Sequence, residues 1–233
     1  MEIYRGLAAH RSDFYGLLSS IYIQIPSRNS IELLWKPATS ILEYPQEGTE
    51  EALKAIGVGL QLIRTYGTDK HGISDQILIG LSKDWTHLFR GVDLKGPLPP
   101  YESLFVTGRF QSEPSQQIHR LFSGMGIRIP EEWHQPPDYI GVELDFIRLL
   151  CEKELSAWKW KQGDSLKEVV EMERSFLENH LSTWVPDFCE KMQAQACEDF
   201  YRGVALLTKG LIKYDAVYLS RLTQEILQTR GAS

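Results

Sequence analysis

One apolar stripe constrains this chain more than any other feature. Ile140, Leu144, Ile147, Cys151, Leu155 and Trp158 recur at spacings of 4, 3, 4, 4 and 3 residues. That is the period of an α-helix, and it puts all six on one face over about five turns. Val142, Phe146, Leu149 and Leu150 add a second apolar face to the first half. A helix apolar on two sides must be covered on two sides, which places it inside a bundle.

The rest of the chain repeats the helical rhythm. Leu53, Ile56, Leu60 and Ile63 form one stripe, and Ile77, Leu81, Trp85 and Leu88 another. Helices are therefore expected near residues 50–65, 74–89, 138–160 and 165–182. Ser165 followed by Glu168 has the pattern of a capping box that opens the last of these. Pro186 should close or kink the region behind it. Gly210 reads as a break between two further helices. The alternation of Ile21, Ile23 and Ile25 could be a strand, but the same residues extend a stripe from Phe14, and no partner strand is apparent. A helix is the better reading. The expected class is all-α, a single multi-helix domain over residues 1–233. A Pro-rich stretch near 126–137 could separate two sub-bundles at a hinge. A second irregular stretch runs from Gly91 to Tyr101.

Composition excludes several functions. A net charge of -6 is a poor match to phosphate backbones, so no nucleic-acid partner is expected. Three cysteines, Cys151, Cys189 and Cys197, form no C-x-x-C pair and suit a reducing compartment. The N-terminal segment lacks the apolar core of a signal peptide, and no stretch approaches the roughly 18 apolar residues of a membrane span. The protein is expected to stay where it is made, without membrane insertion. Phosphate loops, dinucleotide fingerprints, nucleophile elbows and zincin motifs do not occur. The six histidines, at 10, 71, 87, 119, 134 and 180, never fall at a helical metal spacing. The run Glu171, Glu173, Glu178, His180 reads as a solvated helix face, with a site as the alternative. Asp138 follows Pro136 and Pro137 and reads as the N-cap of the long helix.

What stands out is aromatic and proline chemistry. "DWTHLFRGVDLKGPLPPYESLF" runs from a Trp-bearing helix into a rigid loop, and "WHQPPDY" precedes the long helix. Such residues can line a groove for an apolar peptide, or they can fill a core.

These segments resemble the signatures of the TorD/DmsD-type redox-enzyme maturation proteins. "DWTHLFRG" with "PLPPYESLF" is similar to their Trp-x-x-Leu-Phe, Pro-rich loop and Tyr-x-Ser segment. "QPPDYIGVELDFIRLL" is similar to their Glu-Pro-x-Asp-His and long helix, and "FLENHLSTWVPDF" to a segment of their C-terminal bundle. The likeness extends from about Ala52 onward. It implies a cytoplasmic helical chaperone without turnover. Its partners would be the catalytic subunit of a molybdoenzyme and that subunit's twin-arginine signal peptide, held until the molybdopterin cofactor is inserted. Carried over by position, Trp85, Leu88, Phe89, Pro100, Tyr101 and Ser103 belong to the first motif, and Pro136, Asp138 and Tyr139 to the second. The resemblance implies two facing groove walls, with Asp138, Glu131 and Glu132 opposite the client's arginines. Gln135 stands where the family has Glu, Tyr139 where it has His, and Phe105 where Tyr or Trp is common. The expected cofactor and metal are none. The alternatives are a guanine-nucleotide-binding or hydrolysing helical protein and a structural subunit of a redox complex. A monomer or homodimer is expected.

Overall fold

A computed structural model describes residues 2–33, 39–44, 47–66, 73–91 and 96–231. His71 and part of the Gly91–Tyr101 loop, residues 92–95, lie outside the described residues. The helices are α1 (Glu2–Ile23), α2 (Arg28–Leu33), α3 (Glu50–Arg64), α4 (Asp75–Phe89), α5 (Glu102–Thr107), α6 (Glu113–Gly124), α7 (Ile140–Trp160), α8 (Gly163–Phe176), α9 (Ser182–Gln195) and α10 (Asp199–Gly231). A π turn, Leu177–Leu181, joins α8 to α9. No strand occurs among the described residues, so the chain is all-α as its periodicity predicts.

Local chemistry sets several of the ends. Ser74, in extended backbone, accepts from the Ile77 amide at 3.3 Å and caps α4. Glu50 and Glu51 sit in the first turn of α3 and Arg64 in its last, both matching the helix dipole. The segment Ser20–Pro26 is the end of α1, not a strand. Its helix stops at Ile23, three residues short of Pro26, which has no amide hydrogen to continue it.

The helix with two apolar faces is central. α7 packs lengthwise on α1, and α8 lies along it. α10 packs on α3, with α9 and α8 also against it. The buried apolar residues form one contiguous cluster from Leu7 to Leu222. The stretch near 126–137 therefore does not divide the bundle, because α1 before it is paired with α7 behind it.

Three expectations are corrected. Gly210 does not separate two helices: α10 runs straight through it. A Cβ there would lie 2.9 Å from the Ala52 carbonyl, and one on Gly203 only 2.7 Å from the carbonyl of Gly59. These glycines let α3 and α10 touch backbone to backbone, which outweighs the roughly 0.5–1 kcal/mol a helical glycine costs. α8 begins at Gly163, ahead of Ser165, and Ser165 caps nothing. Of the two readings of Pro186, closing a helix is corrected. It lies inside α9, just after the π turn, where the widened backbone precedes the residue that cannot donate.

The solvated-face reading of Glu171 to His180 holds only in part. Glu171 and Glu178 are exposed and bracket Arg174. Glu173 is fully buried. It reaches the Arg11 guanidinium of α1 at 2.5 Å, which also meets Glu154 of α7 at 2.7 Å and Asp215 of α10 at 2.9 Å. One buried arginine thus ties four helices together, with its guanidinium 4.7 Å from the Tyr218 ring. Three carboxylates share that one cation. Burial pushes the Glu173 carboxyl up to about 8, against the pull of Arg11.

Candidate functional site

The two Pro-rich segments meet. Tyr101 and Tyr139 form an antiparallel bridge, in which the Glu102 amide donates to the Asp138 carbonyl at 2.9 Å and the Ile140 amide to the Pro100 carbonyl at 3.0 Å. The Asp138 carboxylate accepts from the Ser103 amide at 3.1 Å. It therefore caps α5, across the seam, and not its own helix. The cap position of α7 belongs to Tyr139. This corrects the sequence expectation. The cause is that Tyr101, which precedes α5, has no side-chain acceptor for its first amides.

Acids collect under the bridge. Glu102, Asp138 and Glu143 are all buried, as is His180. His180 Nδ1 pairs with Glu102 at 2.9 Å. The Trp184 indole donates to Glu143 at 3.3 Å. One oxygen of Asp138 and one of Glu143 have no partner within the chain. Burial raises the Glu143 carboxyl well above its ordinary range, and Glu102 and then Asp138 add to the effect against the Trp184 bond. The seam is thus an acid-rich interior.

The motif residues converge on it from the inside. The Trp85 indole donates to the Ile21 carbonyl at 2.8 Å, and the Tyr139 hydroxyl donates to the Tyr22 carbonyl at 2.5 Å. Those carbonyls belong to the last turn of α1, which has no helical partner for them. Phe89 packs edge-on against Tyr22 and Tyr201, and Leu88 is buried beside it. Ser103 is buried and accepts from the Gln111 amide at 3.1 Å. Pro100 is buried and Pro136 half-buried. Tyr101 is half-buried, its hydroxyl donating to Gln135 at 3.1 Å. The two segments expected to face each other meet along a packed seam, and Trp85 and Tyr139 from it finish the end of α1. Glu131 and Glu132 are exposed, on a short 3-10 turn.

An open cleft adjoins the seam, and sequence reasoning missed it. It holds about 740 Å³ between α6, α7 and α8, within the range of ligand sites. Its floor is a run of aromatic contacts: Phe146 to Phe176 at 4.6 Å and Phe176 to His180 at 4.8 Å. His180 is thus shared between cleft and seam. Asp164, Glu168 and Glu171 rim the cleft, with Lys167 among them. The one sequence signal was Met172 and Phe176, four apart on a helix otherwise charged on that side. Among the described residues no group of three or more His, Cys, Asp or Glu could hold a metal ion.

The sequence profile of the nitrate reductase delta subunit family matches residues 48–190, more than half of the chain and the whole of the seam and cleft. The chain belongs to this family. Chaperone protein TorD of Vibrio parahaemolyticus is 30% identical over 143 residues, 60% of this chain and 64% of that protein. TorD of Vibrio cholerae is 29% identical over 146 residues, with 62% and 64% covered. The chain thus spans just under two thirds of the length of these relatives. TorD of Shewanella pealeana is 26% identical over 220 residues, 90% of this chain and 89% of that protein. A crystal structure from Archaeoglobus fulgidus, provisionally named a redox enzyme maturation protein, is 18% identical with a TM-score of 0.49, covering 84% of this chain and 91% of its own. The TorD-type resemblance is met by the family match and the TorD relatives. No helix among the described residues is long and apolar enough to cross a membrane.

Proposed function

We propose that the protein is a cytoplasmic chaperone. It binds the twin-arginine signal peptide and the apo form of a molybdoenzyme catalytic subunit, aids cofactor insertion and delays export. The observation that carries this reading is the pairing of an apolar cleft with an acid rim and an acid-rich seam, inside the region shared with proteins named chaperones. An apolar run gains by leaving water on such a floor, and arginines gain beside carboxylates. The work is holding, with no turnover and no cofactor of its own: export waits while the bound state is favoured by mass action. Trp85, Leu88, Phe89, Pro100, Tyr101, Ser103, Pro136, Asp138 and Tyr139 take part by fixing the seam that ends the cleft at His180. The chain acts as a monomer or homodimer.

The test is capture of the protein from native cytoplasm with mass spectrometry of its partner. The expected partner is a molybdoenzyme catalytic subunit that is cofactor-free and retains its leader. The family description favours a second reading, a permanent subunit of a redox complex. A partner that is cofactor-loaded, processed and held stoichiometrically would decide for that reading.

A further inference from the structure

The cleft between α6, α7 and α8 ends on one buried polar ring. His180 lines it and is 5% exposed. Its Nδ1 lies 2.9 Å from one oxygen of Glu102 and 3.2 Å from the other. Glu102 is itself fixed, because its amide donates to the Asp138 carbonyl in the bridge. With the carboxylate accepting, the proton sits on Nδ1, and Nε2 of the neutral ring is left as an acceptor. No hydrogen bond reaches Nε2 from the described residues. Asn179 and Ser175, the other neutral polar side chains of the cleft, are bonded to each other at 3.1 Å. Phe146, Phe176, Met172 and Leu121 supply the apolar lining. One buried acceptor thus stands at the end of an apolar floor, its ring oriented by a carboxylate.

We propose that this end of the cleft binds a small phenol, a free molecule with one aromatic ring and one hydroxyl. The ring lies against Phe146 and Phe176, where aromatic pairs favour edge-on or offset contact. The hydroxyl donates to Nε2 of His180. A buried acceptor without a partner is costly, and a donor carried on an apolar body relieves it while the body stays on apolar side chains. The packed seam behind His180 makes this end blind, so a single ring can finish there, whereas a polypeptide would have to turn back. Such a ligand is not the client of the chaperone reading, and its binding does not depend on that reading.

Phenol and toluene differ by a hydroxyl against a methyl group. Burial alone favours toluene, since a hydroxyl loses its water on entering an apolar site. A hydrogen bond to His180 reverses that order. The experiment titrates the full chain with each compound and follows the assigned Nε2 resonance of His180 in proton–nitrogen correlation spectra. Phenol should bind about tenfold or more tightly than toluene, and it should move the His180 resonance. His180→Phe keeps a ring and removes the acceptor, so toluene should then bind at least as well as phenol. Far-UV circular dichroism checks that this variant is folded, and if it is not, the titrations of the native chain decide alone. Toluene binding as tightly as phenol, phenol leaving the His180 resonance unmoved, or no binding of phenol overturns the proposal, whatever the client is. N-acetyltyrosine amide binding more tightly than phenol also overturns it, by assigning the ring to a tyrosine of a polypeptide.

Discussion

Arg11 and Asp215 meet through two bonds of 2.9 Å, across 204 positions of sequence, with both side chains fully buried. The pair joins the first helix to the last. Glu154 and Glu173 complete the cluster on the same guanidinium. Removing the cation would leave three buried acids facing one another. Arg11→Met should cost about 3–5 kcal/mol, the usual penalty for orphaning buried charge. Urea denaturation followed by far-UV circular dichroism measures it. A cost under about 1 kcal/mol would mean that the acids are neutral without the arginine.

The same cluster sets a pH dependence. The folded Glu173 carboxyl sits at about 8, well above its ordinary value near 4.5, and Glu154 and Glu143 are also raised, by burial first. The native state thus binds more protons than the unfolded chain between those values. The stability so conferred is complete below the unfolded pKa and is lost as pH climbs through the folded one. Unfolding free energy should fall from pH 5 to pH 8, with Glu173 contributing a slope of up to about 1.4 kcal/mol per pH unit. Glu173→Gln should flatten the curve. A native curve that rises over this range would contradict the assignment.

Much of the fold was legible because helix periodicity is a local signal. The stripe through α7 gave both its length and its place between neighbours. Several of the corrections concern contacts made over long sequence distances. Gly210 resembles a helix break in isolation, and only Ala52 and Ile56 on another helix explain it. Glu173 resembles a surface charge until Arg11 arrives from 162 residues away. The seam residues were found by resemblance, yet their role in finishing α1 depends on where Ile21 and Tyr22 lie. The cleft's charged half hid its apolar half, because Leu121 and Phe146 come from two other helices.

The contact of Gly59 with Gly203 should be intolerant of one added methyl group. In Gly203→Ala the new Cβ would fall 2.7 Å from a backbone oxygen and 2.8 Å from the Ile63 side chain. The side chain can move, but the carbonyl cannot without shifting α3. A loss of about 1–3 kcal/mol is expected from overpacking, although alanine is the better helix former. Thermal melts of the variant check the sign. A gain in stability would show that the two helices have room to part.

Asp138 separates two kinds of loss. Its carboxylate caps α5 through the Ser103 amide, and its second oxygen is unpartnered beside Glu143. Asp138→Asn keeps an acceptor for Ser103 and can offer a donor to the acids around it. It should fold at least as stably as the native chain at neutral pH. Asp138→Ala removes the buried acceptor and should cost about 1–3 kcal/mol. Differential scanning calorimetry of the two variants settles the order, and equal destabilisation would argue that charge, not capping, is what Asp138 supplies.

Trp85 tests whether the seam touches a client or only supports the surface that does. Its indole is 2% exposed, its N–H is committed to the Ile21 carbonyl, and its ring lies edge-on to Phe89. Trp85→Phe keeps an aromatic ring and drops one buried hydrogen bond. It should cost about 1–3 kcal/mol, because the Ile21 carbonyl loses its donor. Trp85→Ala adds a cavity and should cost about 3–5 kcal/mol. If the seam acts as a frame, folded Trp85→Phe binds an Arg-Arg apolar peptide within about twofold of the native chain, whereas a direct aromatic anchor typically carries 2 kcal/mol or more. Affinity and stability are therefore measured on the same preparation. A large loss of affinity in a Trp85→Phe variant that melts near the native temperature would move Trp85 from the frame to the binding surface. It would also require the seam to open when a peptide arrives.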